Sequence, residues 1–132
     1  MTPLDLASAY IDAFNRRDAD AMEAMLHADI RYVAAGETVA EGQQQVREFY
    51  RPFFNTDVVA TMRHGANGDN PAFFEIELVG TLHDGATYRL VSAVRQEWVD
   101  QRMIDYRSYP DLPVIAEQAV SLEEFLSRAA AE

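Results

Sequence analysis

The sequence predicts an α+β fold, with helices gathered on one face of a bent antiparallel sheet in a single domain spanning 1–132. Three observations predict it. Apolar residues recur at intervals of three and four in three segments before Phe54. From Thr56 the period falls to two. The strands that follow are separated by turns and not by helices, which describes a meander and excludes alternating βαβ units.

The first helix opens at Thr2-Pro3-Leu4-Asp5: Thr2 can cap, Pro3 suits the first turn, and Asp5 favours the positive end of the dipole. Leu6, Ala7, Tyr10, Ala13 and Phe14 form its buried stripe. Asp18 caps a shorter second helix through Leu26, with Met22, Met25 and Leu26 on its apolar side. Two short strands, Ile30 to Ala34 and Thr38 to Glu41, turn about Gly36. A third helix starts at Gln43, and Val46, Phe49, Tyr50, Phe53 and Phe54 give it an aromatic face that Pro52 kinks or ends.

In the second half, Val58, Ala60 and Met62 alternate with Val59, Thr61 and Arg63. A turn-rich loop over 65–71 leads to a strand in which Phe74, Ile76 and Leu78 alternate with Glu75 and Glu77. Asp84-Gly85 marks a hairpin into the long strand Thr87 to Val99, whose centre, Leu90 to Val94, is apolar on both faces. Two-sided apolar character predicts cover on both sides, by helices on one and a second copy of the chain on the other. The last strand runs from Met103 to Tyr109, and Pro110 and Pro113 end it. Ser121-Leu122-Glu123-Glu124 is a capping box that opens a short C-terminal helix over about 121–131.

Composition narrows the function. Hydrophobic residues at 48% and charged residues at 25% are globular proportions, and 132 residues bury a core without staples. No apolar run approaches the ~20 residues of a membrane span. Met1 to Asp5 lacks the basic and apolar stretches of a signal peptide, and there is no cysteine; together these lead us to expect a cytoplasmic protein. Eleven basic against twenty-two acidic residues, a net charge of −11, would repel nucleic acid and anionic membranes alike. The six glycines form no phosphate-cradling loop, and His27, His64 and His83 show no ligand spacing, so neither a nucleotide cofactor nor a metal is expected.

Several strings, in order, resemble the nuclear-transport-factor-2-like superfamily in its SnoaL-like and ketosteroid-isomerase-like branch. They are Tyr10-Ile11-Asp12-Ala13-Phe14-Asn15-Arg16-Arg17-Asp18, then Ala28-Asp29-Ile30-Arg31-Tyr32, then Gly42 followed by Val46-Arg47-Glu48-Phe49-Tyr50. The last is Arg102 to Asp111, and the likeness spans a core of 5–111. The resemblance implies a cone-shaped domain around one apolar pocket, and a homodimer through the sheet. It places Tyr10 at the position of the family's oxyanion tyrosine and Tyr50 at that of a supporting tyrosine. Isomerase-type chemistry further requires an aspartate base and a protonated aspartate. At those positions this chain has Ala34 and Val94. At the acid/base position of the SnoaL-type cyclases it has Ser108. The match to epoxide-hydrolase-like members, on Arg89, Arg95 and Asp105, is incomplete as well.

The expected pocket wall is therefore Phe14, Leu26, Tyr32, Ala34, Phe49 and Phe53 from the first half. Ile76, Leu90, Ser92, Val94, Trp98, Tyr106 and Ser108 complete it from the strands. Each aromatic residue here serves equally well as plain core. Tyr10 on its stripe is either a core residue with a bonded hydroxyl or a hydrogen-bond donor to a ligand. His64 shares a strand face with Met62, and is either a proton carrier in the pocket or a strand-end residue beside a loop. Arg95, Glu97, Asp105 and Arg107 are expected to pair as a charged patch on the outer surface. Two functional expectations follow. The domain binds a small apolar organic molecule without a full catalytic set. Alternatively, it is a small isomerase, lyase or cyclase acting on a carbonyl- or phenol-containing ligand, with Tyr10 as oxyanion donor, Tyr50 in support and His64 or Asp105 moving the proton.

Overall fold

The computed structural model describes residues 1–65, 70–81 and 85–111. Helix α1 (Pro3–Asn15) begins with a full capping box: Thr2 Oγ1 accepts from the Asp5 amide at 3.1 Å and Asp5 accepts from the Thr2 amide at 3.0 Å. Asp18 caps the short helix α2 (Ala19–Ala24) by accepting from the Ala21 amide. The chain then enters strand β1 (Leu26–Ala34), earlier than the sequence suggests. Leu26, expected at the end of a helix, belongs with His27 to this strand. Ala35 and Gly36, both with positive φ, reverse the chain into β2 (Glu37–Glu41).

Helix α3 (Gly42–Phe54) runs two residues beyond Pro52. So close to the end, the missing proline amide removes a single bond of the ladder, and Asn55 closes the turn on the Pro52 carbonyl. Strands β3 (Val59–Arg63), β4 (Ala72–Thr81), β5 (Thr87–Val99) and β6 (Arg102–Pro110) follow as the expected meander. The hairpin residue Asp84, His83 and the C-terminal helix over 121–131 lie outside the described residues.

The six strands form one strongly bent sheet in the order β2-β1-β6-β5-β4-β3. Four of its pairings are antiparallel, but β1 runs parallel to β6, so the sheet is mixed. That pairing joins residues far apart in sequence, and no local pattern announces it. α1 packs over β3–β5 and α3 over β1–β2, so the two helices sit astride the inner face. The core fills the space below them, from Leu6 and Ala7 to Trp98 and Met103.

Two asparagines tie the ends of elements to backbone. Asn15, at the end of α1, donates to the Ala60 carbonyl at 2.9 Å and accepts from the Ala60 amide at 2.8 Å. It thereby stands in for a neighbouring strand along edge strand β3. Next to it, Arg17 donates to the Thr56 and Val58 carbonyls at 2.8 and 2.7 Å. Asn70 makes the same paired contact with Trp98, where a β-bulge interrupts the β5–β6 ladder.

On the outer face, the expected patch forms. Arg95 pairs with Glu97 and Asp105, each at 3.2 Å, and Arg107 pairs with Asp105 at 2.9 Å. Asp105 thus faces away from the pocket. Glu77, also outward, is held between Arg63 and Arg89.

Candidate functional site

The inner face of the sheet and the aromatic sides of α1 and α3 enclose a cavity of about 520 Å³. Such a volume suits a small organic molecule. Ile76, Leu78 and Leu90 line it from β4 and β5, Phe49 and Phe53 from α3, and Ile11 and Phe14 from α1.

The polar groups of the wall are concentrated. Tyr10 from α1, Tyr32 from β1 and Tyr50 from α3 meet through their hydroxyls, Tyr10 to Tyr32 at 2.7 Å and Tyr32 to Tyr50 at 2.6 Å. Tyr106 of β6, opposite Tyr32 in the parallel register, stacks on it with ring centroids 4.1 Å apart. Burial pushes the phenols of Tyr10, Tyr32, Tyr50 and Tyr106 well above the ordinary tyrosine range, because a phenolate there would lose its water. The cluster therefore stays protonated near neutral pH. Three hydroxyls carry three protons, and two contacts within the cluster use two of them. One O–H remains for an acceptor.

Ser92, Gln96, Ser108 and Glu37 complete the polar wall. Gln96 is 1% exposed, and its Oε1 has no hydrogen-bond partner among the described residues. An unpaired buried carbonyl costs about 1–3 kcal/mol, an opening that a ligand donor could fill. The sequence reading missed it, although Gln96 alternates with Ser92 and Trp98 on the inward face of β5.

Most of the expected wall is present: Phe14, Tyr32, Ala34, Phe49, Phe53, Ile76, Leu90, Ser92, Tyr106 and Ser108 all line the cavity. Three residues do not. Val94 and Trp98 are enclosed in the hydrophobic cluster, and Leu26 borders only a crevice of about 10 Å³ behind Tyr10 and Tyr50. His64 is corrected too. It sits exposed at the end of β3 with φ 49, because the strand stops at Arg63 and the backbone turns away, so its imidazole is not on the cavity wall.

Comparison with known proteins agrees with this architecture. No curated protein matches the chain. A nuclear-transport-factor-2-like protein of unknown function from Burkholderia pseudomallei superposes with a TM-score of 0.76 at 15% identity, over 92% of this chain and 99% of that one. IdmH of Streptomyces antibioticus, a provisionally assigned polyketide cyclase, superposes at 0.75 with 16% identity, over 91% and 100%. A provisionally assigned ketosteroid isomerase from Kribbella flavida is similar at 0.68 with 26% identity, over 81% and 76%. The family model for the SnoaL-like domain matches residues 7–106, and the chain belongs to that family.

Proposed function

We propose that the cavity binds a small, largely apolar organic molecule that places an acceptor oxygen, a carbonyl or a phenol, against the tyrosine cluster. The observation that carries this reading is the meeting of the Tyr10, Tyr32 and Tyr50 hydroxyls on the wall of an otherwise apolar cavity. Neutral phenols with a spare proton, held in low dielectric, are strong donors to a partly negative oxygen. The solved relatives include provisionally assigned cyclases and isomerases, which fits a ligand of this kind.

The same cluster favours a second reading, that of a small isomerase, lyase or cyclase. Tyr10 would stabilise the negative charge that develops on a carbonyl oxygen, with Tyr50 supporting it through Tyr32. Against a complete catalytic set stand Ala34, where the family base would be, and the outward-facing Asp105. We further propose that the outer sheet face pairs with a second copy. Val59, Phe73 and Tyr109 are 51–54% exposed there, and the ion pairs around Asp105 and Glu77 leave that face partly neutralised.

The test is a fluorescence titration with 2-naphthol on the parent protein and on Tyr10→Phe. Saturable binding that weakens about three- to tenfold in the variant, the worth of one hydrogen bond, is the expected result. Absence of binding, or binding indifferent to Tyr10, would remove the reading.

A further inference from the structure

Glu37 is the only carboxylate on the cavity wall among the described residues, and a β-bulge puts it there. The β1–β2 ladder pairs Tyr32 with Ala40, then Val33 with Thr38 and Ala34 with Glu37. An unbroken ladder from the Tyr32–Ala40 pair would set Thr38 opposite Ala34. The extra residue in β2, Val39, advances the register by one, so Glu37 takes that place on the cavity side. Among the described residues no basic side chain pairs with it.

On its other side, Ala34 lies beside Ser108 in the parallel β1–β6 register. Glu37, Ala34 and Ser108 therefore form a row across three strands, and Glu37 and Ser108 supply its polar groups. Tyr32 sits two residues back along β1, about 7 Å at strand rise, and leads to the donor cluster. One side of the cavity thus donates hydrogen bonds. The row around Glu37 accepts them, and Glu37 itself is exposed where Tyr10 and Tyr32 are buried.

Building on the binding reading above, we propose that Glu37 is a specificity-determining residue. It selects an apolar molecule that carries a hydroxyl or other hydrogen-bond donor at the end opposite its acceptor oxygen, and it rejects a molecule with an anion at that end. A carboxylate facing a ligand hydroxyl forms a charge-assisted hydrogen bond, and one facing a ligand carboxylate meets like charge. Its ladder partner, the small Ala34, lines the cavity beside it.

The test compares three probes that share a ring system: 2-naphthol, 2,6-dihydroxynaphthalene and naphthalene-2,6-dicarboxylate, the last two carrying the same group at both ends so that either orientation presents it to Glu37. They are titrated into the parent, Glu37→Gln and Glu41→Gln. Glu41 lies at the other end of β2, off the cavity wall, and its variant reports the general effect of removing one negative charge. The parent should bind the diol at least about threefold more tightly than 2-naphthol, and the dicarboxylate about tenfold more weakly. In Glu37→Gln both other probes should bind within about twofold of 2-naphthol measured on the same variant. Glu41→Gln should preserve the parent's order. Equal relief of the dicarboxylate in both variants, or an unchanged order of the three probes in Glu37→Gln, would overturn the assignment while leaving the pocket reading intact. Failure of 2-naphthol to bind the parent would overturn both.

Discussion

The hydroxyls of Tyr10 and Tyr32 approach to 2.7 Å, joining α1 to β1 across the inside of the fold. Tyr32 also contacts Tyr50 at 2.6 Å, so it is the shared member of a cluster drawn from three elements. Replacing Tyr32 by Phe removes both hydrogen bonds at once and leaves the buried Tyr10 hydroxyl without this partner. The expected loss of stability is about 1–3 kcal/mol in chemical denaturation, larger than for Tyr50→Phe, which removes only one contact. Equal costs for the two variants would contradict the central place of Tyr32.

The same burial makes stability depend on alkaline pH. Tyr10, Tyr32, Tyr50 and Tyr106 have folded-state pKa values raised above the unfolded value of about 10. Above that pH the unfolded chain has lost protons that the native state retains, so stability falls as pH rises. Each of the four contributes a slope of up to about 1.4 kcal/mol per pH unit, and their contribution is fully present below about pH 10. In a spectrophotometric titration, their tyrosinate absorbance should appear together with unfolding. Early, reversible ionisation of all six tyrosines in the folded protein would refute this.

Asn15 bonds to both the amide and the carbonyl of Ala60, and it anchors the helix that carries Tyr10. Asn15→Ala leaves two backbone groups of a buried residue without these partners. We expect a loss of about 1–3 kcal/mol, read from the denaturation midpoint at unchanged m-value. Asn15→Asp should recover less than half of it, since a carboxylate accepts from the amide but cannot donate to the carbonyl.

Phe73 is 51% exposed on the outer face of β4, and Val59 on neighbouring β3 is 54% exposed. If that face joins two copies, sedimentation equilibrium should show a dimer for the parent and a monomer for Phe73→Asp. The tyrosine cluster lies on the opposite face, so the variant should still bind 2-naphthol. A monomeric parent would remove the proposed dimer.

Much of this architecture is visible in residue order. The helical stripe through Leu6, Tyr10 and Phe14, the capping residues Thr2 and Asp18, and the alternation through β5 each follow from local chemistry. What escaped depends on long-range pairing. The parallel contact of β1 with β6 sets Tyr106 on Tyr32, and no local period encodes it. Two bulges reverse side-chain parity within single strands. The one at Val39 turns Glu37 inward, and the one that passes Ile104 keeps Tyr106 and Ser108 in the cavity while Asp105 faces out. Gln96 was overlooked for a different reason. Its inward parity is plain, but a polar side chain amid apolar neighbours carries no hydrophobic signal.

The most direct test of the central claim is the ionisation of 4-nitrophenol bound in the cavity, followed by its visible absorbance against pH. Donation from the tyrosine cluster to the ligand oxygen stabilises the phenolate and lowers its apparent pKa below the free value, by one unit for about 1.4 kcal/mol of preference. A lowered value that returns toward the free one in Tyr10→Phe is the result this account predicts. A raised value in the parent, the signature of burial without donation, would contradict it.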